Sequence, residues 1–287
     1  MKGRLSIKPR ECSSVGLFSP YDGNVIGSLL LGAGMALSGS CPGAVFAQVG
    51  AGVVSGLYTL AGGVVGGVIW SGILQPIIRT RTTKPQQMPA DKSETQTQPM
   101  KLAIYEQLGI SREAAATGVV AAFAASVAAV EVLAPPLPET RGLVTPIQGG
   151  LLVAGSQLVS IFSRTKLLGT STSFEEVGQY ISSTLGLGTS KPGSYGATIL
   201  TAGMILGSFM VSSMAPENSL SLITSDTVIQ PTRAIVGGVL LAVGSRMGGG
   251  CTSGHGLSGV ALLSISSFVS VAAMFGGGMA IATIFGL

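Results

Sequence analysis

Between Asp22 and Arg79 the chain carries no Lys, Arg, Asp, Glu or His. A soluble fold cannot be coated by such a stretch, because a water-facing surface needs charge at intervals. The stretch is instead long enough for two crossings of a bilayer, each of which takes about 20 mostly apolar residues. Further charge-free runs cover Ala114–Val130, Gly142–Ser163, Pro192–Pro216 and Gly256–Leu287. Charged residues make up 10% of the 287, against roughly a quarter in an average soluble domain. The pattern predicts an all-α, multi-pass membrane protein. Two spans fit in 24–78, and one each in 113–133, 145–163, 195–214 and 232–248. The last apolar stretch, 256–286, exceeds one span and predicts a short broken segment followed by a full helix.

The charges that remain sort by side. Residues 1–23 hold Lys2, Arg4, Lys8 and Arg10, the stretch 79–112 holds six basic residues, and 164–194 holds Arg164, Lys166 and Lys191. In contrast, 134–146 holds Arg141 alone, and 215–231 has no basic residue. Placing the first three on the cytoplasmic side puts thirteen of the 16 basic residues inside. The expected organisation is a polar N-terminal segment (1–23), a first membrane half (24–78), a cytoplasmic linker rich in Gln, Thr and Pro (79–112), and the remaining membrane helices (113–287). The net charge of +4 follows from these flanks and does not point to nucleic acid. Residues 1–20 contain no apolar core of a signal peptide. The expected location is the plasma membrane.

Forty-three glycines have a physical use in this setting. Lipid is as apolar as leucine, so helices associate by close backbone approach at small residues. Gly62, Gly63, Gly66 and Gly67 read as such a packing face. Two other glycine clusters differ because each holds a cysteine. Aligning Cys41 with Cys251 superposes "LLLGAGMALSGSC" on "VLLAVGSRMGGGC", with Gly34, Gly39 and Cys41 against Gly244, Gly249 and Cys251. Interrupted helices at corresponding positions of an inverted repeat are the best sequence pointer to a transporter's binding site. In the first motif the chain is expected to break at Gly39–Ser40, with a new helix starting at Pro42 and Gly43 beside the thiol. In the second, Gly248, Gly249 and Gly250 break the preceding helix, and Thr252 or Ser253 caps the next. Irregular backbone at membrane depth survives only where protein buries it or it lines a cavity. Helix N-termini there favour an anion.

Arg246 either faces this pathway or snorkels to the interface. His255, the single histidine, is either a pore-lining group or a strut between helices. Cys12 is either a plain cytosolic thiol or folds up to the mouth of the pore. A Walker A loop is excluded, since Cys251 and Thr252 stand where Lys and Ser/Thr are required. One histidine, no clustered carboxylate and no C-x2-C pair argue against a metal centre. No cofactor is expected.

The stretches "GMALSGSCPGAVFAQVGAG" and "GSRMGGGCTSGHGLSG", supported by "PIQGGLLVAGSQLVS", resemble the YeeE/YedE family of sulfur-transport membrane proteins. The resemblance implies two pseudo-symmetric halves whose broken helices meet at a central constriction lined by cysteines that relay thiosulfate. Carried over by motif, Cys41 and Cys251 are the implied relay thiols. Cys12, whose surroundings match no motif of the family, is the remaining candidate. The family pattern also implies a span before "FSPYDGN", where this chain has a short polar segment. A neutral S–H donates weakly, which suits an ion that must be held and released. The reading is a non-enzymatic transporter or channel for a small sulfur-containing anion, with the bilayer and a cytoplasmic sulfurtransferase as partners. Its rivals are a membrane redox or sulfur-transfer protein using Cys251 and His255, and a non-transporting structural membrane protein.

Overall fold

The computed structural model describes residues 9–83, 102–133, 146–164, 167–186, 190–214 and 229–286, which are helical with no strand among them. In chain order the elements are α1 (Asp22–Ser38), α2 (Ala44–Gly50), α3 (Val54–Ile69) and α4 (Gln75–Thr83), the last two joined through a π-helical turn at Trp70–Leu74. Then come α5 (Ile104–Leu108), α6 (Arg112–Leu133), α7 (Pro146–Arg164), α8 (Thr172–Thr184), α9 (Gly196–Met214) and α10 (Pro231–Met247). A π-helical segment, Ser253–Gly259, leads to α11 (Ile265–Phe285). Among the described residues four helical stretches, Val54–Arg81, Arg112–Val130, Gly196–Met214 and Ile265–Phe285, are long and apolar enough to cross a membrane, and Ile147–Ser163 is a shorter apolar helix.

Glycine sets the centre of the bundle. Gly27 faces the backbone of Gly244 and Gly248, while Gly34 faces Gly237 and Leu241, so α1 and α10 run antiparallel in backbone contact. A methyl added at Gly34 would stand 2.7 Å from the Gly237 carbonyl oxygen, a separation no real Cβ tolerates. The same device seats α1 on α11, where Gly277 meets Leu29, and α3 on α10, where Gly66 meets Val239. Lipid cannot drive these helices together; the gain is dispersion between backbones brought close.

Both central helices end in a glycine with positive φ, Gly39 at 61° and Gly249 at 78°, a conformation that costs other residues Cβ strain. Each break leads into a short helical segment, then a second reversal (Gly52, φ 81°; Leu263, φ 57°), then a long helix. The breaks leave opposite ends of the antiparallel pair, yet the chain after them meets in the middle. Val45 of α2 shares one core with Cys251, Leu31, Leu241 and Met274.

The structure adds detail to three of the stretches read from sequence. The stretch 164–194, read as a loop because of its charges, contains α8, whose Phe174 packs on Gly63 and stacks on Phe46 with ring centroids 5.4 Å apart. Within the linker, α4 extends the preceding helix to Thr83, and residues 102–104 pair by backbone hydrogen bonds with Leu263 and Ile265. Residues 84–101 lie outside the described ones. The N-terminal segment is a strap from residue 9 to Tyr21 tied into the bundle. Asp22 accepts the N–H groups of Val15 and Leu17, both at 2.6 Å, and Asn24 accepts that of Ser13 at 2.7 Å.

Candidate functional site

The site grows from the second break. Gly248–Gly250 end α10, and Cys251 follows with its side chain buried at 1% exposure. Three hydroxyl residues surround the thiol. Ser253 Oγ lies 3.1 Å from Cys251 Sγ, Thr170 Oγ1 lies 3.7 Å away, and Ser171 stands beside it. Neither Thr252 nor Ser253 caps the following segment, contrary to the expectation from sequence. Ser253 is turned to the thiol, and Thr252 donates to the sulfur of Met35 at 3.3 Å, joining the break to α1.

At the first break, α2 begins at Ala44, two residues later than expected, with Pro42 buried in the turn before it. Cys41 is half-buried, and its sulfur accepts the N–H of Ala44 at 3.4 Å. The absence of a side chain at Gly43 leaves a gap flanked by Thr170 and Cys41: a Cβ there would stand 3.6 Å from Thr170 Oγ1 and 3.9 Å from Cys41 Sγ. Thr170 therefore lies between the two motifs, next to Gly43 on one side and Cys251 on the other. No disulfide joins the cysteines. Cys12 is half-buried on the strap, near Tyr21.

His255 sits 1% exposed between the break and α11. Its Nε2 is 3.1 Å from the Gly248 carbonyl oxygen and its Nδ1 is 3.0 Å from Ser267 Oγ. A carbonyl can only accept, so Nε2 carries the proton, and in the neutral ring Nδ1 accepts from Ser267. The Gly248 carbonyl also accepts from Asn24 Nδ2 at 2.9 Å, which locks the break to α1 as well. Arg246 has a counter-charge within the protein. It pairs with Glu175 of α8 and extends toward Thr172 Oγ1 at 3.4 Å, while Glu175 also accepts from Gln75 and Gln179.

Sequence reasoning missed Thr170, Ser171, Glu175, Ser267 and Arg10. A signal for the α8 residues was present: "TSTSFEE" places Glu175 and Glu176 three residues after Thr172 and Ser173, a common pattern at a helix start. Arg10 carried no signal beyond its charge. Its Nη1 donates to the Gly249 carbonyl at 2.8 Å, and its own carbonyl accepts from Ser264 and Ser266.

The described residues are helical, with four helices long and apolar enough to cross a membrane and buried polar groups gathered where two further helices end at glycine, the make-up of an all-helical membrane protein. The chain belongs to the sulphur transport family, whose profile matches residues 9–280. A 53-residue stretch is 51% identical to a curated protein of Xylella fastidiosa strain Temecula1 named "Probable transporter". It is 49% identical to a protein of the same name from strain 9a5c. That stretch is 18% of this chain, and the chain spans 39% of the length of each of these curated relatives.

Proposed function

We propose that the protein is a membrane transporter or channel for a small sulfur-containing anion, thiosulfate first among them, and that Cys41 and Cys251 line its narrowest part. The observation that carries this reading is the meeting of the two breaks around Thr170, which brings a buried thiol, a half-buried thiol and several hydroxyls to one place at the bundle centre. Weak donors suit a soft anion that must leave as readily as it arrives. The short segments after each break are read as re-entrant, and the chain as two pseudo-symmetric halves. The matching order of left-handed glycine, cysteine two residues on, short segment and long helix supports this. So does the packing, with α1 against both α10 and α11 and α10 against both α1 and α3. The proposed organisation keeps the N-terminus and the 79–112 region cytoplasmic and places the protein in the plasma membrane, with a sulfurtransferase receiving the sulfur.

Uptake of radiolabelled thiosulfate into proteoliposomes, against protein-free vesicles, tests the function. Excess unlabelled thiosulfate should abolish the signal, and equimolar sulfate, which lacks the terminal sulfur, should reduce it by less than about twofold. Equal competition by both would remove the sulfur from the claim. A persulfide trapped on Cys251 during turnover would favour sulfur transfer over passage.

A further inference from the structure

We infer that Arg10, on the N-terminal strap, is an oxyanion-binding group of the pathway, its guanidinium facing the anion at the second break beside Cys251. The inference rests on the transport reading for the identity of the anion, not for the existence of the site.

The guanidinium lies over the break. A Cβ at Gly250 would stand 2.7 Å from Nη1, and one at Gly254 would stand 2.9 Å from Nη2, so both positions must be glycine for the group to lie there. Cys251 falls between those two residues and is within electrostatic reach of Arg10. One N–H is used on the Gly249 carbonyl. The Nε atom is buried with no hydrogen-bond partner. The Nε atoms of Arg233 and Arg246 are likewise without a partner, so it is position and charge that set Arg10 apart. It lies over the second break, and no Asp or Glu among the described residues pairs with it, whereas the nearby Arg246 is matched by Glu175. A half-buried cation with an orphan donor is costly unless something supplies the missing charge. A purely structural tether would need neither the charge nor the fork, because the strap is already held by the Arg10 carbonyl, Ser13 and Asp22.

The chemistry of the missing partner follows from the group. A guanidinium presents parallel N–H donors spaced for two oxygens of a tetrahedral or planar oxyanion. With a thiol alongside, the fitting ligand is a small oxyanion whose oxygens meet Arg10 and whose other end meets Cys251. Such a site would gather anions at one face of the constriction and pass them to the weaker thiol and hydroxyl donors beyond.

The test is thermal unfolding of the purified full-length protein in detergent, titrated with sodium thiosulfate or sodium sulfate against sodium chloride at matched ionic strength. Wild type should be stabilised by both oxyanions in a saturable way. R10Q should weaken the apparent affinity by about tenfold or more, while R10K, which keeps charge without the fork, should fall between. G254A, which crowds the guanidinium and leaves the charge in place, should also weaken it. An unchanged oxyanion midpoint in R10Q, or no oxyanion-dependent stabilisation of wild type, overturns the inference. Uptake assays separate the two ideas. Stabilisation without uptake would sink transport and keep the Arg10 site; uptake that is equal in wild type and R10Q would do the reverse.

Discussion

At Cys251 three hydroxyl-bearing side chains stand around a buried thiol that also packs in the apolar core with Val45, Leu31, Leu241 and Met274. Buried polar groups cost free energy unless they are paired, and here Ser253 and Thr170 pair with the thiol itself; under the proposed function this is where a polar guest would exchange for those contacts. His255 has a different task a few residues away. Both of its ring nitrogens are engaged, one to the break and one to α11, so it holds the geometry in which Cys251 sits. H255A should cost about 2–3 kcal/mol, since it leaves Ser267 without its partner and opens space in a packed centre. The thermal midpoint in detergent measures this. S267A should cost less, because the ring keeps its bond to Gly248. If H255A were as stable as wild type, the histidine would not be a strut.

At the scale of helices, the breaks were legible because their chemistry is local. A left-handed turn at Gly39 or Gly249 needs glycine, and a cysteine two residues on repeats the signature. The helix α8 was missed despite its start pattern, because Glu175, Glu176 and the flanking basic residues look like a wet loop until their partners are known. Those partners are remote in sequence: Arg246 and Gln75 for Glu175, and the N-terminal N–H groups of α9 at Ala197 and Thr198 for Glu176. The strap was hidden for the same reason, since Arg10 finds its acceptor at Gly249 in a distant turn. Breaking one of these pairs should be costly. E175Q leaves Arg246 half-buried without its counter-charge and should lose about 3 kcal/mol, whereas replacing both by apolar residues (Glu175→Leu with Arg246→Met) should recover most of that. A double-mutant cycle on thermal stability reads the coupling, and additive losses would mean that the pair is not a unit.

Across the whole molecule, one packing rule and one functional rule meet. Glycine lets α1, α3, α10 and α11 touch backbone to backbone, and the same residue type breaks two of those helices where their continuations converge. The long apolar helix α6 exposes large hydrophobic side chains such as Val120, Phe123 and Val127, the surface a bilayer requires. The central claim is that the thiols at the convergence carry the anion rather than fill space. Serine keeps the size and hydrogen-bonding capacity of cysteine but replaces the soft sulfur. Thiosulfate uptake into proteoliposomes by C41S, C251S and the double variant, each first shown to unfold within a few degrees of wild type, is the most direct measurement. The expected result is a loss of about tenfold or more in C251S and C41S with little uptake in the double variant. Wild-type rates in the double variant would contradict the account and leave the cysteines as packing residues.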